Sequence, residues 1–216
     1  MNNQENEIFK ILKVLQDHGV LDRLVLIGSW ATFLYKFYFK DDSYHPAIRT
    51  TDIDFLIPKQ PLNSVKIDIS QILGKMGFLE EFYSDGWLVF HRSDLHVEFL
   101  VSRVGAQSDN AIQIPTLGIS ARPLRHLWML TENLIKVEVH GFSVKLPHPA
   151  AYGLQKLIIS VRRRGKPEKI QKDQEQAEIV LTALRKTDIN ILKGFYNQLS
   201  KKEVKYIKDA IANRPL

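Results

Sequence analysis

Cysteine is missing from the 216 residues. That excludes disulfides, thiolate metal sites and cysteine nucleophiles. It also removes a zinc-deaminase reading of His96-Val97-Glu98, because the partner cysteines do not exist. The seven histidines fall into no cluster with metal-ligand spacing. No run approaches the ~20 apolar residues that span a bilayer. The longest candidate, Leu24 to Phe39, carries Lys36 and reads as a buried strand followed by a buried helix. The opening MNNQENE is polar and acidic, unlike a secretory leader. Neither a Walker A loop nor a Gly-x-Ser-x-Gly nucleophile elbow is present, and there is no internal repeat or low-complexity segment. These absences leave a chain without membrane spans, and a reducing cytoplasm is the location they fit.

What is there has the balance of an ordinary globular protein, 44% hydrophobic and 25% charged, long enough for one large domain or two small ones. Net charge is +6 and the isoelectric point is about 9.4. That favours an anionic partner such as a nucleotide or nucleic acid, although solubility alone also accounts for it. Arg162, Arg163, Arg164, Lys166, Lys169 and Lys172 crowd into one stretch. This stretch is either a contact for RNA phosphates or a solvated basic helix end.

Periodicity divides the chain. Glu5 to Asp17 places Ile8, Phe9, Leu12 and Leu15 on one helical face, and Gly19 ends it. Leu24 to Ile27 reads as a strand stopped by Gly28, and Trp30 to Phe39 as a helix packed on it. The aromatic residues of that helix are assigned mainly to the core, as are Trp87 and Trp128. Asp52 to Ile57 alternates as a strand ended by Pro58. Asn63 to Met76 reads as a helix capped by Asn63 or Ser64 and ended by Gly77. Trp87 to His91 and Leu95 to Val101 read as antiparallel strands turning at Ser93-Asp94. Gln107 to Ile114 reads as a loop, and Ile135 to Leu146 as a hairpin turning at His140-Gly141. After Pro147-His148-Pro149 the pattern is helical: Ala150 to Arg163, Pro167 to Lys186, Asp188 to Leu199 and Lys201 to Ala212. The expected architecture is α+β: a mixed sheet with flanking helices over 1–146, then a mainly helical domain over 147–216.

Asp52 and Asp54 are the most informative pair. Residues two apart on a strand project the same way, so two carboxylates stand close and repel. A hard divalent cation such as Mg²⁺ relieves that conflict. An isolated Asp-x-Asp more often simply faces water. Glu98, flanked by Val97 and Phe99, changes the balance. An antiparallel neighbour of the Asp52 strand would bring it beside the pair, and three carboxylates on adjacent strands suit two-metal phosphoryl transfer. Glu98 would also be placed to accept a proton, and His96 shares its face. Upstream, Gly28 lets the backbone approach a ligand, and the amides after it with the Ser29 hydroxyl can cradle phosphate.

In order, Gly28-Ser29, Arg49-Thr50-Thr51-Asp52-Ile53-Asp54-Phe55-Leu56 and Val97-Glu98-Phe99 resemble the signature of the nucleotidyltransferase superfamily with a polymerase-β-type core. The likeness covers about residues 20 to 103. The Arg-Thr-Thr-Asp-Ile-Asp-Phe form is similar to bacterial nucleotidyltransferase-like proteins of the uncharacterised, abortive-infection and toxin–antitoxin groups. Pro147-His148-Pro149, Lys156, Arg162-Arg163 and Lys172-Asp173 match the helical half of those proteins more loosely.

The resemblance implies an enzyme that moves a nucleoside monophosphate from a nucleoside triphosphate, ATP included, to a hydroxyl on RNA, protein or a small molecule, releasing pyrophosphate. It implies two Mg²⁺ ions held by Asp52, Asp54 and Glu98, with Asp52, Asp54 and Glu98 also the catalytic acids. Gly28 and Ser29 would contact the β- and γ-phosphates, and Lys156 would neutralise triphosphate charge; a solvated helix lysine is the other reading of Lys156. The alternative function is a non-catalytic nucleotide- or RNA-binding module of a toxin–antitoxin or defence system.

Overall fold

Strand propensity and helix caps build a mixed sheet first and a helical layer second. The computed structural model describes residues 3–46, 50–58, 66–103, 105, 109–163 and 165–212. Helix α1 (Asn3–Asp17) buries Ile8, Ile11, Leu12 and Leu15 and ends before Gly19. The three-residue strand β1 (Val25–Ile27) is wholly buried and runs directly into α2 (Gly28–Phe39). Strand β2 (Asp52–Ile57) pairs antiparallel with β1, and its other edge pairs with β5 (Leu95–Ser102).

The β2–β5 pairing is parallel, not antiparallel as the sequence suggested, with Asp54 opposite Glu98. The expected outcome survives this reversal because facing residues share a face in either sense. A parallel neighbour needs a long crossover, which here holds α3 (Ile69–Lys75), β3 (Leu79–Phe82) and β4 (Leu88–Arg92). The second edge of β5 is shared. Strand β4 pairs with its first half, antiparallel, and β7 (Ile119–Leu124) pairs with Leu100 to Ser102, parallel. Strand β3 closes one side of the sheet and β6 (Ile112–Ile114) pairs with β7.

Three differences from the sequence reading have local causes. The third helix is short and capped by Asp68, whose carboxylate accepts from the Gln71 N–H at 2.8 Å. The chain entering the helix is instead held by Thr116 and Leu117, whose carbonyls accept from the Ile67 and Ile69 amides. The expected caps Asn63 and Ser64 lie outside the described residues, as do Arg49 and Arg164. Ile112 to Ile114 is a strand, not loop, because β7 supplies it with a partner. Strand β3 carries Leu79 and Phe82 exposed, so no alternating pattern marks it.

The hairpin of β8 (Ile135–Val139) and β9 (Phe142–Leu146) is as expected, and positive φ at both His140 and Gly141 gives it the primed turn that matches strand twist. Four helices follow: α4 (Pro149–Arg162), α5 (Pro167–Thr182), α6 (Lys186–Gln198) and α7 (Lys201–Ala212). Pro149 stands at the first helical position, where its missing N–H costs nothing, and the His148 ring accepts from the Ala150 N–H. Helix α4 is buried nearly all round, as a central helix should be. Among the described residues no helix is long and apolar enough to cross a membrane.

A buried polar cluster fastens the helical layer to α2. The Tyr38 hydroxyl donates to Asp188 at 2.8 Å, and Arg185 donates to the same carboxylate from its backbone and side chain at 2.9 and 3.1 Å. Burial pushes the Asp188 carboxyl up, but the Arg185 guanidinium, Tyr38 and the Arg185 amide outweigh it and hold it below the usual range. A depressed carboxyl stabilises the fold above the unfolded value of about 3.9 and loses that contribution as pH falls through the folded value. Asp188→Asn is therefore expected to lower the melting temperature at pH 7. The gap to wild type should shrink steadily below about pH 4, as read by thermal melts across pH.

Candidate active site

The sheet register assembles the site. Ile27 faces Asp54 across β1 and β2, and Asp54 faces Glu98 across β2 and β5. Alternation turns Ile53 and Phe55 into the core, where Phe55 stacks on Phe99 with centroids 5.7 Å apart. Asp52, Asp54 and Glu98 are left on the opposite face, towards the C-terminal helices. Asp52 is the exposed member and sits 3.4 Å from His96 Nδ1.

Gly28 has a conformational and a spatial reason to be glycine. Its φ is +66°, and a Cβ there would lie 2.2 Å from Asp54 Oδ2. The turn thus brings backbone directly against the aspartate. Gly28→Ala is expected to cost about 1–2 kcal/mol of stability for the left-handed backbone. It would also displace Asp54, and a misplacement near 1 Å lowers turnover by about 10²-fold. Urea unfolding and a transfer assay on the same preparation check both.

Helices α4 and α5 hold the turn from above. The Tyr152 hydroxyl donates to the Gly28 carbonyl at 2.8 Å, and Thr32 donates to the Tyr152 hydroxyl at 2.8 Å. Gln176 Nε2 donates to Ser29 Oγ at 2.8 Å. Close packing lets these bonds form: Gly153 of α4 lies against Leu181 of α5, and a Cβ at 153 would come within 2.5 Å of it.

The electrostatics are those of crowded acids beneath a basic helix. Burial and the Asp52 charge push the Asp54 carboxyl up, against Lys156, Lys172 and Lys169. Burial, then Asp54, pushes Glu98 up to about 7, with Arg122 pulling the other way. Arg122 lies over the Trp87 ring at 4.3 Å, and Tyr83 stacks on that ring with centroids 4.1 Å apart. Trp87 is therefore buried, as expected, but as the middle of a ladder that props Arg122 towards Glu98.

Lys156 is not a solvated helix lysine. It is buried and donates to Asp173 at 2.8 Å; Arg163 pairs with the other carboxylate oxygen. Burial pulls the Lys156 ammonium down, but Tyr152 and Asp173 outweigh it, and the lysine is held charged. Beside Ser29, a cavity of about 600 Å³ opens between α2 and α5, lined in part by Thr32, His45, Lys169, Lys172 and Gln176.

Gly28, Ser29, Asp54 and Glu98 are thus brought together, Asp52 stands at the rim, and Lys156 reaches the site from α4. Sequence reasoning did not single out Tyr152, Gln176, Lys169 or Arg122 for the site. A signal existed for one group: Lys169, Lys172, Asp173 and Gln176 recur at helical spacing and share one face of α5. Arg122 carries no such mark, because only the β5–β7 pairing brings it near Glu98.

The donor set suits a hard divalent cation. Asp54 and Glu98 are adjacent carboxylates, the first pushed up by burial and Asp52, the second by burial and Asp54, and a cation would relieve both. Among the described residues, no group of three or more acidic or histidine side chains yet stands close enough to grip an ion.

A family model described as Nucleotidyltransferase matches residues 6–200. Among solved structures, an antigenic nucleotidyltransferase-like protein from Paracoccidioides brasiliensis is similar at 15% identity and a TM-score of 0.54, over 98% of this chain and 88% of that one. The antibiotic-resistance factor ANT(2'')-Ia is similar in its solution structure at 14% identity and a TM-score of 0.50, over 88% of this chain and 89% of that one. Its crystal structure with adenylyl-2''-tobramycin gives the same identity and TM-score, over 91% and 98%. These likenesses bear on the fold. No curated protein sequence matches the chain.

Proposed function

The chain belongs to the nucleotidyltransferase family, and from that premise we propose that it moves a nucleoside monophosphate from a nucleoside triphosphate to an acceptor hydroxyl with Mg²⁺ as cofactor. The observation that carries this reading is the register that sets Gly28 against Asp54 and Asp54 against Glu98. Asp52, Asp54 and Glu98 would hold the metal, which would supply charge neutralisation for the phosphates. The Ser29 hydroxyl and the amides at the start of α2 bind the β- and γ-phosphates. Lys169 and Lys172 line the adjoining cavity, and Lys156 adds a fixed positive charge from α4. Glu98 accepts the proton of the acceptor hydroxyl. The hydroxyl oxygen forms a bond to the α-phosphorus, the bond from that phosphorus to the bridging oxygen breaks, and pyrophosphate leaves.

On this reading the division into an α/β domain over 1–146 and a helical domain over 147–216 has a purpose. The acids come from the first and the phosphate-neutralising lysines from the second. The location would be cytoplasmic, where nucleoside triphosphates are abundant, and a role in a toxin–antitoxin or defence system is compatible with it.

The test uses labelled nucleoside triphosphates, Mg²⁺ and a panel of RNA, protein and small-molecule acceptors. Wild type should transfer label and Asp52→Ala/Asp54→Ala should not. Equal signal from both sinks the assignment of the acids. Nucleotide binding without transfer to any acceptor would favour the non-catalytic binding module instead.

A further inference from the structure

A second basic site lies away from the carboxylates. Chain segments far apart in sequence converge on a cleft of about 540 Å³: Arg103 after β5, Arg125 and His126 after β7, and Arg162 and Arg163 at the end of α4. Four arginines share this space, and Asp109 is the acid that lines it among the described residues. Asp109 pairs with Arg103, while Arg163 turns to Asp173. Arg125 donates to the Gly105 carbonyl at 3.2 Å, and Arg162 contacts His126 Nε2 at 2.6 Å, so both lack a carboxylate among the described residues. His126 Nδ1 is 2.9 Å from Glu203. Arg162 thus meets an imidazole nitrogen rather than a carboxylate.

Two details indicate a ligand more than a solvated surface. Arg103 Nε is buried with no hydrogen-bond partner among the described residues, and a buried unmet donor is costly. Burial, then the Arg125 charge, also pulls the Arg103 guanidinium down, so these two arginines oppose one another. Guanidinium forks that outnumber their acids, with Arg125 and Arg162 paired to none among the described residues, match phosphate oxygens.

Placement decides which phosphates. Lys156 and Arg163 belong to the same helical run, about 10 Å apart along it at ~1.5 Å per residue. Asp173 bonds both, so the cleft is tied to the lysine that reaches the acids. An occupant must present several anions at a short distance from the reacting hydroxyl. A nucleic-acid strand does so, with a phosphate at every nucleotide and a hydroxyl at its end.

We propose that the cleft of Arg103, Arg125, Arg162 and Arg163 binds the phosphodiester backbone of a single-stranded nucleic acid acceptor. The word acceptor rests on the transfer reading above, whereas the binding does not.

The experiment measures fluorescence anisotropy of a labelled 12-nucleotide RNA, and of the DNA of the same sequence, on the full chain across a salt series. Arg125→Glu, at an exposed position that spares the His126 contact, and Arg125→Gln/Arg162→Gln are compared with wild type. The expected result is at least tenfold weaker binding for both variants. The salt slope should fall by about 1.4 for the double variant, at ~0.7 per phosphate contact on a single strand. Melting temperatures establish that the variants are folded, and the single variant carries the test if the double is not. Unchanged affinity and slope in Arg125→Glu overturn the proposal. Equal displacement of RNA by polyglutamate at matched charge also overturns it, in favour of an acidic protein partner. The RNA and DNA arms tell which sugar the cleft takes. Arginine-dependent binding with no transfer would retain the cleft and sink the transfer reading; transfer with arginine-independent binding would do the reverse.

Discussion

Asp54→Asn should abolish nucleotidyl transfer while leaving the fold as stable as wild type or more so. Most core substitutions lose both together, so the opposed signs are diagnostic. Asp54 lies against the Gly28 turn and opposite Glu98, and burial with the Asp52 charge makes its ionised form unfavourable. Asparagine keeps the shape and removes the repulsion, so unfolding in urea should move to equal or higher denaturant. Turnover should fall by about 10³-fold or more. That corresponds to about 4 kcal/mol, the scale on which a bound metal stabilises transition-state charge. A thermal shift supplies a readout besides turnover. Mg²⁺ with a nucleoside triphosphate should raise the wild-type melting temperature by ligand linkage and leave the variant unmoved. Retained transfer in Asp54→Asn would remove the residue from the proposed mechanism.

The same residue illustrates how much of this protein was legible beforehand. Alternation in Asp52 to Ile57 and in Leu95 to Val101 was enough to put the acids on one face, because a period of two survives whichever way the strands run. Direction did not follow, since antiparallel and parallel pairs leave the same residues on the same face. The C-terminal helices were legible from proline breaks and periodicity, and α4 to α7 fall close to their expected spans. Strand β7 was not, because its burial comes from a shared edge of β5 that no local pattern announces. Arg103 and Arg125 were lost for the same reason. They meet Arg162 through the fold, while the run at 162–166 was visible as a charge cluster. Lys156 is the instructive middle case. Its position on a helix was evident, but its burial depends on Asp173, one turn of chain and another helix away.

Asp173→Ala should be the most destabilising single change in the helical layer. Asp173 is 2% exposed and holds Lys156 and Arg163 at once. Its removal strands the Lys156 ammonium in a buried position, and breaking a buried pair in this way costs about 3–5 kcal/mol. Arg163 is less affected, since about a third of its side chain reaches solvent. Replacing both charges, in Lys156→Met/Asp173→Leu, removes the uncompensated ion and fills similar space. The double variant should therefore recover most of the loss, leaving a strong non-additive coupling in a urea-unfolding cycle. The cycle also separates structure from chemistry. A pair that matters only for packing would leave the rescued double variant active. A lysine that also meets the triphosphate would leave it folded, with a raised KM for the nucleotide and reduced kcat/KM. A double variant as stable and as active as wild type would confine Lys156 to a structural role and leave Lys169 and Lys172 of α5 to carry the phosphate charge.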